Sequence, residues 1–209
     1  MPELFTLFPT PISRTPLSKH LEFKKKMVPK ILKKFKKEPD KKAAWAGFCN
    51  TWQFDIEPKD IEYIRDELDT AVQQYLDLCN TGRFPYEIQG WFNVHTSMMY
   101  QESHNHVPAL LSGIYYLQFD EDKDSQVIFE NPNSEFDTLM KAQGIFFGNP
   151  MLAKNSSDLD TFIIKEGDLL LFPGTLNHIV PKAKQQHDQP RITFSFNINR
   201  TSVHPSGDA

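Results

Sequence analysis

Three histidines and one arginine are the residues of this chain best suited to chemistry. His104 and His106 stand two residues apart, and His178 follows a segment of glycines and buried-type leucines. Arg191 comes thirteen residues after His178, at the start of an alternating apolar and polar segment. Imidazole is a common metal ligand, and a guanidinium matches the geometry of a carboxylate. The set predicts a metal site beside an anion site.

The metal site is predicted to use three imidazoles. In an extended chain, residues two apart point to the same face, so His104 and His106 can converge on one ion. Non-haem Fe(II) sites more often combine two histidines with one carboxylate, and His106 stands where that carboxylate would be expected. The alternatives are a carboxylate elsewhere, such as Glu130, or His95 as a replacement ligand. Zinc would also accept this set.

The anion site is predicted on two alternating strands. Alternation places Arg191, Thr193 and Ser195 on one face and the intervening apolar residues on the other. On the earlier strand Ser112 and Tyr116 share a face, so the Tyr116 hydroxyl can donate to an anion that Arg191 holds. We therefore expect these five residues to bind the anion.

The chain changes from helical to strand patterns near residue 85. Residues 1–22 are rich in proline and predict an extended lead-in strand, whereas residues 23–84 predict helices. One helix begins at Pro58 and has apolar residues at a period of 3.6. The later segments predict eight short strands, typical of a sandwich or barrel. The predicted strands are 88–95, 112–119, 126–130, 143–148, 160–164, 168–172, 177–181 and 190–199.

Composition predicts a single globular domain across residues 1–209. An apolar content of 39% and a charged content of 24% are ordinary for such a domain. We expect a supporting region at 1–84, a β core at 85–199 and a flexible tail at 200–209. No segment is long and apolar enough to suggest a membrane span, and we expect no signal peptide. The two cysteines, Cys49 and Cys79, predict free thiols and a cytoplasmic protein.

A lysine-rich helix at 24–42 is the main charged feature. It holds ten lysines and two acidic residues, so its formal charge is +8. Because the net charge of the chain is −4, the remaining residues together carry −12. Phe23, Met27, Ile31 and Phe35 recur every four residues and predict a face that packs on the core. The lysines predict either a solvated face or a surface for an acidic partner.

Several motifs together resemble one enzyme family. They are Leu7-Phe-Pro-Thr-Pro11, His104-Asn-His106, Ser112-Gly-Ile-Tyr-Tyr-Leu117, Phe129-Glu-Asn-Pro132, Gly167-Asp-Leu-Leu-Leu-Phe-Pro173, His178 and Arg191-Ile-Thr-Phe-Ser-Phe-Asn197. In this order they resemble the 2-oxoglutarate- and Fe(II)-dependent oxygenases of marine bacteria and their phages, which are relatives of the prolyl hydroxylases. A phage origin would place the protein in the host cytoplasm.

The resemblance implies a fold, a cofactor and a reaction. The fold would be mainly β with α, a double-stranded β-helix (jelly roll) with N-terminal helices packed on one sheet. Fe(II), 2-oxoglutarate and O₂ would be required, and a C–H bond would be hydroxylated with release of succinate and CO₂. The substrate could be a small molecule or a protein side chain, with a residue such as proline favoured slightly. Two alternatives remain: a three-histidine dioxygenase that works without 2-oxoglutarate, and a non-catalytic jelly-roll binding or virion protein.

Overall fold

The fold is built from nine strands and a set of N-terminal helices in the described residues. The computed structural model describes residues 9–38, 51–133 and 163–201, together with residue 143. The strands are β1 Ser13–Pro16, β2 Trp52–Asp55, β3 Tyr86–His95, β4 Gln101–His104, β5 Leu111–Gln118, β6 Ile128–Phe129, β7 Asp168–Pro173, β8 His178–Val180 and β9 Arg191–Arg200. The helices are α1 His20–Lys37, α2 Pro58–Ile61, a 3-10 turn Glu62–Ile64 and α3 Arg65–Leu78.

These strands form two antiparallel sheets. The larger sheet has the order β1-β7-β5-β9-β3-β2, and the smaller has the order β4-β8-β6. Because neighbours in the sheets are far apart in sequence, the chain passes back and forth between the two layers. This arrangement is the double-stranded β-helix that the family resemblance implied.

Two apolar cores lie on opposite faces of the larger sheet. The inner core joins the two sheets, with Ile114 and Phe172 from the larger sheet meeting Phe129 and Val180 from the smaller. The outer core joins the other face of the larger sheet to α1 and α3. Alternation along β9 explains this division, because Ile192, Phe194 and Phe196 all enter the outer core.

The N-terminal helices form because their apolar residues recur on one face. In α1, Phe23, Met27 and Ile31 are buried, while Phe35 packs against the same core at partial exposure. Glu57 caps α2 in a reciprocal arrangement with Asp60, and proline occupies the first turn. None of the helices in the described ranges is long and apolar enough to cross a membrane.

The sequence prediction is wrong in places. Residues 23–84 are not wholly helical, because Trp52–Asp55 forms β2 at the edge of the larger sheet. The helix predicted from Pro58 is interrupted by the 3-10 turn Glu62–Ile64. A strand at Gln101–His104 was not predicted. The predicted strands 143–148 and 160–164 fall almost wholly outside the described residues. Of the predicted tail 200–209, residues 202–209 also lie outside them.

Candidate active site

Three imidazoles lie together at the edge of the smaller sheet. Their candidate ligand atoms all lie within 4.8 Å of one another. Pairing of β4 with β8 sets His104 directly opposite His178, and their ring centroids are 4.2 Å apart. The His106 ring follows just after β4 and lies 5.1 Å from that of His178. This spacing allows one metal ion to bind all three rings.

Backbone carbonyls orient two of these rings. The Nδ1 atom of His104 lies 2.7 Å from the Glu102 carbonyl oxygen, and that of His178 lies 3.0 Å from the Leu176 carbonyl oxygen. A carbonyl can only accept, so each Nδ1 carries the proton and each Nε2 carries the lone pair. Such contacts fix the tautomer and the ring orientation that a metal requires.

Burial keeps the three rings in the neutral form. It lowers the pKa of His106 to about 4, with the neighbouring His104 as a second cause. It lowers the pKa of His104 as well, and that of His178 to well below the ordinary value. Neutral imidazole is the form that binds metals, so the site is ready for an ion at neutral pH.

The turn between β7 and β8 holds two of the histidines in place. Gly174 in this turn accepts a hydrogen bond from the His106 amide at 2.8 Å and donates one to the Leu110 carbonyl at 3.1 Å. A Cβ at this position would lie 2.2 Å from the Ala109 carbonyl oxygen. Only glycine fits so close an approach, and His178 follows four residues later.

A buried arginine shares one narrow cavity with the histidines. Arg191 is 3% exposed, and its guanidinium donates to the carbonyl oxygens of Ser125 and Pro181. Within the described residues no carboxylate hydrogen-bonds to it, although the charge of Asp124 acts on it at longer range, and its Nε makes no hydrogen bond. Burial lowers its pKa from the ordinary value. A buried cation of this kind is costly without an anion, so the cavity suits a negatively charged ligand.

Hydroxyl groups continue the cavity wall beside Arg191. Tyr116 accepts a hydrogen bond from the Val127 amide at 3.0 Å, and burial raises its pKa to about 12. Its hydroxyl therefore keeps its proton, which can be donated into the cavity. Thr193 and Ser195 accept hydrogen bonds from Asn93 at 3.2 and 2.9 Å, so their protons are available in the same way.

Three other residues considered from the sequence lie elsewhere or act differently. Ser112 does not line the cavity, and its hydroxyl donates to Asn197 at 3.0 Å. Glu130 accepts a hydrogen bond from Ser103 at 2.9 Å and is not part of the histidine cluster. His95 lines the cavity on the Arg191 side but is also outside the cluster. In the described part of the chain, the candidate metal ligands are thus three imidazoles.

Sequence reasoning missed one residue of the cavity wall and one residue that contacts it. Gln101 is buried in the cavity wall on β4, a polar strand with no apolar alternation to signal it. Thr51 hydrogen-bonds to His95 and lies just before β2, in a segment that the sequence analysis predicted to be helical. The alternation Trp52-Gln-Phe-Asp55 is the signal that could have indicated this strand.

The fold and site define a jelly roll with a cluster of candidate metal ligands beside a buried cation, and the comparisons agree with a metal-dependent oxygenase. The model of the family described as "Putative 2OG-Fe(II) oxygenase" matches residues 89–197, more than half of the chain. The chain belongs to this family, and it is a 2-oxoglutarate-dependent oxygenase that requires Fe(II), 2-oxoglutarate and O₂. The comparison with curated proteins found no match.

Solved structures share the fold at low sequence identity. A prolyl-4-hydroxylase of Pseudomonas putida is 12% identical, with a TM-score of 0.62 over 92% of this chain and 94% of that one. A collagen prolyl hydroxylase of Paramecium bursaria Chlorella virus-1, bound to 2-oxoglutarate, is 14% identical, with a TM-score of 0.57 over 91% and 96%. HygX of Streptomyces hygroscopicus, with nickel, 2-oxoglutarate and hygromycin B bound, is 13% identical, with a TM-score of 0.57 over 92% and 84%.

Proposed function

We propose that His104, His106 and His178 hold Fe(II) and that Arg191 binds the far carboxylate of 2-oxoglutarate. The enzyme would hydroxylate a C–H bond of an uncharged substrate and release succinate and CO₂. One observation carries this proposal: a buried arginine without a hydrogen-bonded carboxylate in the described residues shares a cavity with three converging imidazoles. A dioxygenase that works without 2-oxoglutarate would have no use for this cation.

The residues present fit the metal and the co-substrate. Three neutral nitrogen donors leave other coordination positions of an iron open, as non-haem oxygenases require. When bound, Fe(II) supplies the oxidation chemistry, in which one oxygen atom of O₂ enters succinate and the other enters the product alcohol. The proton donors of Tyr116, Thr193 and Ser195 add to Arg191 as partners for the co-substrate.

The cavity also shelters the reaction from water. Its free volume is about 30 Å³, room for only a few water molecules. The lining side chains must therefore separate to admit a five-carbon diacid. Val127, Ile114 and Val180 are among the apolar residues of the lining. They would exclude solvent once the co-substrate is bound, which strengthens the electrostatic contacts inside.

An open groove on the other side of the histidines fits a peptide substrate. It has a volume of about 530 Å³ and shares Trp91, His104 and His106 with the narrow cavity. The rest of its described lining is uncharged and consists of Gln89, Asn105, Val107, Pro108, Ala109, Asn197 and Asn199. Side-chain amides match the donors and acceptors of peptide groups, and a tryptophan face suits an apolar ring.

A prolyl residue is the substrate side chain that we favour. Its ring is apolar and uncharged, and its preceding and following peptide groups can pair with the amides of the groove. Two of the structures that share the fold are prolyl hydroxylases by name. We would measure succinate formed from 2-oxoglutarate in the presence of proline-rich peptides. Stimulation by these peptides, but not by matched alanine peptides, is the expected result, and equal rates with both would exclude a prolyl substrate.

Replacing Arg191 tests the co-substrate site directly. We expect Arg191→Ala to raise the Kd for 2-oxoglutarate by roughly 100-fold, because a buried charge-assisted pair is lost, while the Kd for Fe(II) changes little. Arg65→Ala is the control, since Arg65 pairs with Asp69 on the helical surface. Unchanged 2-oxoglutarate affinity in Arg191→Ala would contradict the assignment.

A further inference from the structure

His95 is a buried histidine that the metal site does not use. It lies on β3 directly opposite Arg191 on β9, in the register that pairs the two strands. Cross-strand neighbours on one face have side chains close enough to act on the same ligand. His95 is 3% exposed and lines the narrow cavity together with Arg191. It therefore faces the anion end of the cavity rather than solvent.

Two polar atoms of this cross-strand pair are buried without partners. The Nδ1 atom of His95 and the Nε atom of Arg191 make no hydrogen bond within the described residues. Buried polar groups are nearly always hydrogen-bonded, so two such atoms in one cavity indicate a missing ligand. The ligand must offer acceptors, because the arginine Nε can only donate.

Thr51 is the hydrogen-bond partner of the other ring nitrogen of His95. The Thr51 Oγ1 atom lies 2.8 Å from Nε2 of His95 and 3.3 Å from the Tyr100 carbonyl oxygen. The threonine hydroxyl has a single proton. If it is donated to the Tyr100 carbonyl oxygen, the imidazole proton resides on Nε2; if it is donated to Nε2 along the shorter contact, the imidazole proton resides on Nδ1. A carboxylate bound by Arg191 selects this tautomer, because an Nδ1 lone pair facing the carboxylate would be repelled.

The imidazole acts as a neutral donor. Burial, and then the charge of Arg191, keep the pKa of His95 well below its ordinary value. The cavity therefore contains one fixed cation and one neutral N–H donor rather than two cations. The single positive charge of Arg191 therefore matches the single negative charge of one carboxylate, and His95 adds a hydrogen bond without adding charge.

We propose that His95 is a binding residue for the co-substrate and donates a hydrogen bond from Nδ1–H to the same carboxylate that Arg191 binds. His95 thereby contributes to the selection of a 2-oxo diacid over a 2-oxo monoacid. This inference rests on the proposed function, and it replaces the sequence-based alternative in which His95 binds the metal.

The test compares two acids and two variants. 2-Oxopentanoate has the chain length of 2-oxoglutarate but lacks the far carboxylate. His95→Asn places an amide nitrogen where Nδ1 lies, whereas His95→Gln places its amide near Nε2 instead. The Kd of each acid for the Fe(II)-loaded protein would be measured without oxygen for the wild type and both variants.

The expected result is a selective loss. In His95→Gln the Kd for 2-oxoglutarate should rise by about tenfold or more, the effect of one charge-assisted hydrogen bond. The Kd for 2-oxopentanoate should stay the same, and His95→Asn should recover most of the preference. Equal weakening of both acids, or no weakening of either, would overturn the role of His95. A wild-type protein that binds Fe(II) but not 2-oxoglutarate would overturn the proposed function itself.

Discussion

At the scale of the residue, burial prepares the site before any metal arrives. The three imidazoles of the cluster are held neutral because desolvation disfavours their charged forms. Two of them are also oriented by backbone carbonyls. Arg191 experiences the same desolvation, yet an arginine stays charged. One burial environment thus yields neutral ligands at one end of a cavity and a cation at the other.

The identity of the third metal ligand can be tested by paired substitutions. We expect His106→Ala to weaken Fe(II) binding by at least about tenfold, because one of three protein ligands is lost. Glu130→Gln should leave Fe(II) binding unchanged, since Glu130 contacts Ser103 and not the cluster. Bound iron after gel filtration would be the measurement. Retention in the first variant together with loss in the second would favour a site of two histidines and one carboxylate.

The neutral histidines also predict how stability depends on pH. His106 has a pKa of about 4 in the folded protein, against an ordinary value of 6.5. Between these values the unfolded chain binds a proton that the folded chain does not, so the metal-free protein should lose stability as pH falls through this window. The free energy of unfolding in urea, measured from about pH 7 to about pH 4, tests this. His106→Gln should show a shallower decline, and an identical slope would contradict the pKa shift as its source.

At the scale of the element, strand register brings the site together. The pairing of β4 with β8 sets His104 against His178, and the pairing of β3 with β9 sets His95 against Arg191. Further along the pairing of β3 with β9, a row of mostly polar cross-strand pairs leads toward the groove. These pairs are Asn93 with Thr193, Trp91 with Ser195 and Gln89 with Asn197. The inner face of two strands would therefore carry both the proposed co-substrate end and the proposed substrate end of the site.

The sequence indicates strands reliably where apolar residues alternate. β3, β5, β7 and β9 were predicted to within two residues at each end, and the separation of Arg191 from Phe194 onto opposite faces follows from alternation alone. β4 was missed because Gln101–His104 is wholly polar and is formed by pairing with β8. The burial of Arg191 and the lack of a hydrogen-bond partner for Nδ1 of His95 both result from tertiary packing, so no local sequence pattern could reveal them.

The turn between β7 and β8 provides a prediction at this scale. We expect Gly174→Ala to destabilise the protein by about 1–3 kcal/mol, because its Cβ would clash with the Ala109 carbonyl oxygen. It should also weaken Fe(II) binding, since Gly174 anchors the backbone of His106. Gly82→Ala is the control, with nothing within 4 Å of the added Cβ. Thermal unfolding and iron binding would be measured, and wild-type values for both in Gly174→Ala would contradict this role.

At the scale of the whole molecule, two cores on opposite faces of one sheet separate support from chemistry. The outer core fixes the larger sheet through α1 and α3, and the inner core joins that sheet to the smaller one. Among the exposed lysines of α1 are Lys25, Lys26, Lys30 and Lys33, whereas Lys24 pairs with Glu166 and Lys34 lies over the ring of Phe54. An acidic partner for this surface stays a prediction.

Thermal stability should increase when Fe(II) binds and increase again when 2-oxoglutarate binds after it. His104, His106 and His178 come from distant parts of the β core and would be joined by a bound Fe(II), so a saturating amount should raise the Tm by several degrees, on the order of 5–10 °C at 100 times the Kd. 2-Oxoglutarate should add a further increase only when the metal is present, because in the proposed site the metal held by the three histidines would bind one end of the co-substrate. Anaerobic thermal shift assays in all four combinations test this coupling. An equal shift from 2-oxoglutarate with and without metal would contradict it.

The most direct test of the central claim is an anaerobic titration of metal-free protein with Fe(II) and then 2-oxoglutarate, followed by visible absorption. We predict a new metal-to-ligand charge-transfer band when 2-oxoglutarate is added, lost in His178→Ala and shifted to much higher 2-oxoglutarate concentration in Arg191→Ala. Iron binding without a band in the wild type would contradict the assignment of this cavity to 2-oxoglutarate. Failure to bind iron would contradict the three-histidine site itself.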